Sequence, residues 1–197
     1  MFRRYLYIAL AVGVTAGLIG LGSALFTSTQ TVAANTFTTG TVIISTNPAT
    51  AAVTLVNMAP GDVIAAPITV SNAGTLSLRY AISSTATNGD GLGLMSQLQL
   101  VVKTGVTTCT APAAINTNVD ATGTAIYTGA LGDASVAGLN IIGDPTTGAQ
   151  LGDRVLATTA SEILCFRVEL PKTSSNAYQG ATTTATFAFV AEQTKNN

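Results

Sequence analysis

From residue 36 onward, apolar and polar side chains alternate with a period of two, and turn residues break the alternation every few positions. In EILCFRVEL, Leu164, Phe166, Val168 and Leu170 share one face while Cys165, Arg167 and Glu169 share the other. LSLRYAIS sets Leu76, Leu78, Tyr80 and Ile82 against Ser77, Arg79, Ala81 and Ser83, the pattern of a strand with one face buried and one in water. No segment offers the apolar stripe that a helix needs. The chain is therefore predicted to be all-β, an antiparallel β-sandwich. Spacing alone leaves jelly-roll and immunoglobulin-like connectivity both open.

Other strands are predicted at Thr41 to Ser45, Ala52 to Val56, Ile64 to Val70, Leu98 to Lys103, Leu139 to Ile142 and Val155 to Thr158. MAPGD, SNAGT, TNGDG and GDPTTG supply the turns. The ending NAYQGATTTATFAFVAEQ places Phe187 and Phe189 on one face and Thr186, Ala188 and Val190 on the other, so both faces tolerate burial. The span 107–152, rich in Ala, Thr, Asn and Gly, reads as a loop-rich insertion carrying one or two short strands.

Composition narrows the function. The 197 residues suit one domain. Charged residues are 9% of the chain against roughly 25% in an average one, so hydroxyls and small side chains dominate the surface. No basic run follows the N-terminus, which argues against a nucleic-acid partner. Histidine is absent, removing the commonest general base and transition-metal ligand.

MFRRYLYIALAVGVTAGLIGLGSALF has Arg3 and Arg4, an apolar run, and then small residues, the layout of a secretory signal peptide. Gly22 and Ala24 fill the small-x-small positions, which places the signal at 1–24 and the mature start at Leu25. Left uncleaved, the apolar stretch from Tyr5 to Phe26 would be long enough to anchor the chain in a membrane. Export makes Cys109 and Cys165, the two cysteines of the chain, a disulfide on the outer side of the sheet, where it pins a loop.

Three stretches in order resemble the TasA and camelysin family of exported surface proteins, related to subunits of archaeal bundling pili. NTFTTGTVII carries Phe37, Gly40 and Thr41 of an F-x-x-G-T pattern. NMAPGDVIAAPITVSNAGTLSLRYAI carries Pro60, Gly61 and Asp62, then a strand, then Asn72, Gly74 and Leu76. The ending carries Tyr178, Gln179 and Gly180 before an alternating strand. The resemblance implies a jelly-roll domain over 41–197, export through a signal peptidase, and copies of the same chain joined in an extracellular fibre, with an accessory anchoring protein as a further partner. It also implies that residues 25–40 act as a donor strand, with Leu25, Phe26, Val32, Ala34 and Phe37 as candidate contacts. A monomeric, membrane-anchored or adhesive surface domain is the alternative.

Camelysin relatives are described as metalloproteases, so an enzyme is the competing class. A zinc protease ordinarily shows H-E-x-x-H, and this chain has no histidine and three glutamates, at 162, 169 and 192. Asp133, Asp144 and Asp153 sit in Gly-rich turns, and Asp62 reads as a turn cap. Asn116, Asn118 and Asp120 resemble the start of a calcium loop that lacks its glycine and closing glutamate. A type IV pilin would need a glycine cleavage site before the apolar run, which is missing. No catalytic residue, metal or cofactor is predicted. The chain recovered from the cell surface is expected to begin at Leu25; an intact mass that retains residues 1–24 would mean an anchor instead.

Overall fold

The computed structural model describes residues 36–50, 53, 57–110, 122–135 and 138–195. The signal segment, Leu25, Phe26, Val32, Ala34, Asn116, Asn118, Asp120 and most of the strand expected at 52–56 lie outside these residues. The described chain from Thr39 onward belongs to one unit built on nine strands: β1 (Ile44–Asn47), β2 (Val63–Asn72), β3 (Leu78–Ala86), β4 (Gln99–Thr104), β5 (Thr124–Ala130), β6 (Leu139–Ile142), β7 (Arg154–Leu156), β8 (Ser161–Glu169) and β9 (Ala185–Gln193). One short helix, α1 (Leu94–Gln97), precedes β4.

Two antiparallel sheets face each other, as the alternation predicts. The first runs β1-β2-β8-β4-β5. In the second, β3 is central: β9 pairs along its whole length on one side, while β7 and β6 share the other. The jelly-roll connectivity is not established by this strand order. Between the sheets lie Val70, Leu100, Val102, Leu164 and Phe166 of the first and Leu78, Tyr80 and Ile82 of the second, all almost fully buried. The inner positions of β8 are those read from the sequence.

Pro67 stands inside β2, where a proline is usually barred because it lacks an N–H. The bond from Asn72 N to Ala160 O turns the even residues of β2 toward β8 and the odd ones toward β1. Since β1 ends opposite Thr69, the missing donor of Pro67 points where no described strand pairs.

Two expectations change. β3 is not half-buried: Arg79, Ala81 and Ser83, assigned to the wet face, are all below a tenth exposed. The loop between β6 and β7 covers them, reaching across β3 so that Gly148 N donates to the Glu192 carboxylate on β9. Arg79 in turn pairs with Glu192 and donates to Thr194 O. Within 107–152, β5 completes the first sheet and β6 joins the second, so this span contributes to both sheets. Cys109 and Cys165 are bonded across 56 residues, and Cys165, on the outer side of β8, is covered. Closing a loop of this length stabilises the fold by about 4 kcal/mol in the chain-entropy account.

Gly74 fixes where the N-terminal approach crosses the sheet. A Cβ there would stand 2.4 Å from Thr41 O and 2.8 Å from Ile43 N, inside the contacts that carry Ala73 N to Ile43 O and Thr75 N to Thr41 O. Gly74→Ala is expected to lower stability by about 2–4 kcal/mol in chemical denaturation; an unchanged midpoint would show that this crossing gives way freely.

Candidate functional site

The last strand begins from a stepwise turn. Ser175 caps a 3-10 turn at Asn176–Tyr178, its hydroxyl accepting from Ala177 N at 3.3 Å. Gly180 follows at φ +76°, the left-handed region that glycine adopts without strain. Tyr178, Gln179 and Gly180 thus form the lead-in to β9, as expected from their order in the chain. Asp90, in the loop after β3, secures the next residues. Its carboxylate accepts from Thr182 N at 2.6 Å, Thr182 Oγ1 at 3.3 Å and Leu92 N at 3.0 Å. Thr87 and Thr184 exchange two further bonds, so β9 is aligned on β3 before the regular ladder starts.

That ladder satisfies only one side of β9. The bond from Thr194 N to Ser77 O sets the even residues of β9 toward β3, which leaves the main-chain groups of Ala185, Phe187, Phe189 and Ala191 pointing away from it. Among the described residues no strand pairs on that side. The same four residues turn their side chains inward, where Phe187 meets Phe166 at 4.8 Å between ring centroids and Phe189 meets Tyr80 at 6.4 Å. Both phenylalanines are only half-buried, unlike the aromatic and aliphatic side chains opposite them.

Beside this edge the sandwich is open. A groove of about 460 Å³ runs between β9 and the end of β1, with Met58, Ile64, Ile68, Leu98, Leu131 and Val168 among its apolar lining and Thr46, Thr183 and Thr184 at its lips. It reaches the core residues Ile68, Leu98, Leu131 and Val168, each below a tenth exposed, on a side where the main chain of β9 also lacks a partner among the described residues. An extended segment laid along β9 would satisfy both deficits, forming main-chain bonds with the edge and filling the groove with every second side chain.

A polar cluster closes one end of the core. Tyr80 donates to Glu162 Oε1 at 2.7 Å, and Arg154 Nε lies 2.9 Å from both Glu162 oxygens. Glu162 occupies the inner face of β8, in line with Leu164 and Phe166, so the cluster ties β3 and β7 to the opposite sheet. Burial and the neighbouring carboxylate push the Tyr80 phenol far above its ordinary range. The sequence reading missed this cluster, although a carboxylate at the head of the inner-facing positions Glu162, Leu164 and Phe166 was its visible signal.

The remaining residues singled out from sequence fall into two groups. Gly40, Asn72 and Gly74 come together: a Cβ on Gly40 would meet the Leu76 side chain at 2.5 Å, while Asn72 Nδ2 donates to Leu76 O at 2.8 Å and Ala157 O at 3.0 Å, and its Oδ1 accepts from Gly74 N at 2.9 Å. Pro60, Gly61 and Asp62 form a separate turn on the end of β8, where Gly61 N donates to Leu170 O and the Asp62 carboxylate accepts from Ala59 N at 2.7 Å. Phe37 is exposed. Asp133, Asp144 and Asp153 accept from turn amides. Among the described residues no three Asp, Glu, Cys or His side chains converge on a point where a metal could bind.

The bonds to the Leu92 and Thr182 amides hold the Asp90 carboxyl below its ordinary pKa. A carboxyl whose folded pKa is depressed contributes stability above the unfolded value and loses it as pH falls through the folded one. The protein is therefore expected to lose stability below pH about 4, and Asp90→Asn to reduce that loss; identical acid slopes for the two in chemical denaturation would remove Asp90 from the account.

Compared with known protein families, residues 3–197 match the family described as camelysin metallo-endopeptidase. No curated protein matches the chain.

Proposed function

Because the chain belongs to the camelysin metallo-endopeptidase family over residues 3–197, we propose that it is an exported structural subunit that polymerises into an extracellular filament, each copy accepting the N-terminal segment of another. The observation that carries this reading is the edge of β9, which no strand pairs among the described residues, beside an open apolar groove. The donor is residues 25–40, released by signal-peptidase cleavage after Ala24 and including Leu25, Phe26, Val32, Ala34 and Phe37. Fully extended, these residues reach roughly 53 Å, against roughly 30 Å for the length of β9. No charged residue occurs between Arg4 and Asp62, so nothing in the donor resists burial. An accessory protein that anchors the filament to the cell fits the same reading, with no nucleic acid involved.

The family's description implies a protease metal, and the side chains of this chain do not fit one. It has no histidine. Glu162, Glu169 and Glu192 each face an arginine, and the described aspartates accept from backbone amides of their own turns or of neighbouring loops. We therefore derive no metal-dependent step.

Electron microscopy of the protein taken from the cell surface, beside a variant lacking Leu25 to Ala34, tests the proposal. Filaments are expected from the full mature chain and dispersed, folded particles from the truncated one, with circular dichroism reporting the fold. Filaments from both would exclude the donor segment, and folded monomers from both would leave a solitary surface domain.

A further inference from the structure

The two sides of the sandwich end differently. Opposite the groove, the outermost strand of the five-stranded sheet is β5, which pairs only with β4 among the described residues. Its sequence TAIYTGA contains no charge and no proline, the side chains that commonly keep an edge strand from pairing with another chain. Leu131 N donates to Leu98 O at 3.1 Å, which turns the main-chain groups of Tyr127 and Gly129 toward β4 and those of Thr128 and Ala130 outward. The outward carbonyl of Ala130 is already occupied: the Tyr127 hydroxyl donates to it at 2.9 Å.

Gly129 makes that bond possible. The phenol lies along the strand over Gly129, where a Cβ would stand 2.6 Å from Tyr127 Oη and 2.9 Å from its Cζ. The backbone at Gly129 has no positive φ, so the ring and not the main chain demands a glycine here. Burial raises the pKa of the phenol, which stays a donor at neutral pH. The ring also packs, half-buried, against the core cluster. Among the described residues no comparable cap covers the outward groups of Phe187 and Phe189 on β9.

We propose that Tyr127 determines the specificity of assembly: by capping the Ala130 carbonyl it keeps the β5 edge from accepting a strand of a second copy, so that each subunit offers one acceptor, the groove beside β9. This rests on the filament reading above. A strand approaching β5 needs the outward groups of Thr128 and Ala130 as consecutive bonding sites, and the phenol takes one acceptor and stands beside it. Growth is thereby confined to one line of subunits, without side-by-side pairing of β5 strands across a two-fold axis.

The test compares the full mature chain with Tyr127→Phe, with Gly129→Ala, which displaces the ring while retaining the tyrosine, and with Tyr127→Phe combined with Thr128→Lys, which returns a charge to the edge. Sedimentation velocity and filament width are the readouts, with thermal melting as the check on folding. The uncapped variants are expected to melt as cooperatively as the parent yet to pair laterally, with an about twofold rise in sedimenting mass or filament width, and the lysine to reverse it. Uncapped variants that are folded and indistinguishable from the parent overturn the proposal. Unfolding of both overturns it too, by making Tyr127 a core residue. Failure of the filament reading shows separately, as a parent that remains monomeric; Tyr127→Phe dimers in that background still support the cap, and monomers refute it.

Discussion

Strand β8 is the member on which the sandwich is built. It pairs with β2 over nine residues and with β4 over six, and it presents Leu164, Phe166 and Val168 to the opposite sheet. On its outer side Cys165 is buried beneath the bridge to Cys109. From Leu164 to Glu169 the strand is flanked on both edges, so its main-chain groups there are satisfied within the sheet, and the elements around it inherit their register. Glu162 extends this role to the second sheet, because its carboxylate receives the Tyr80 phenol and the Arg154 guanidinium from the far side of the core.

Away from that centre the demand for main-chain partners is met unevenly. Arg79, Glu192 and the amide of Gly148 close the outer face of β3, and Tyr127 occupies an outward carbonyl of β5. At β9, among the described residues, no strand meets this demand at four alternate residues, with half-buried phenylalanines among them. An unpaired edge alone is common in small sheets; an unpaired edge that also borders an apolar groove is a deficit that an extended segment removes in one step. Asp90 and Thr87 hold the lead-in to that edge, so the edge is positioned before any partner arrives.

Much of the fold was legible in the residues. Alternation placed the inner face of β8 correctly and grouped Phe187 with Phe189 on one face of β9, and the turn residues separated the strands in order. The disulfide followed from two cysteines in an exported chain, and the turn roles of Asp133, Asp144 and Asp153 followed from their glycine neighbours. What alternation could not supply was the environment of the second face of β3, because a polar residue looks the same in a water-facing position as under a covering loop. Arg79 is the clearest case: its burial depends on Glu192, which lies more than a hundred residues further along the chain.

By itself the sequence determined the all-β class, the strand order along the chain, the covalent bridge and the absence of the residues that zinc proteolysis ordinarily requires, since each of these rests on local periodicity or on which side chains exist at all. Tertiary structure decided which strands became edges, and so which of them lacks a partner among the described residues. That outcome depends on pairing between segments far apart in the chain: β9 on β3, β5 on β4, and Tyr127 folded back over Gly129. A strand's own residues state that it needs partners on two sides, whereas only the packed sheets determine whether both sides are filled.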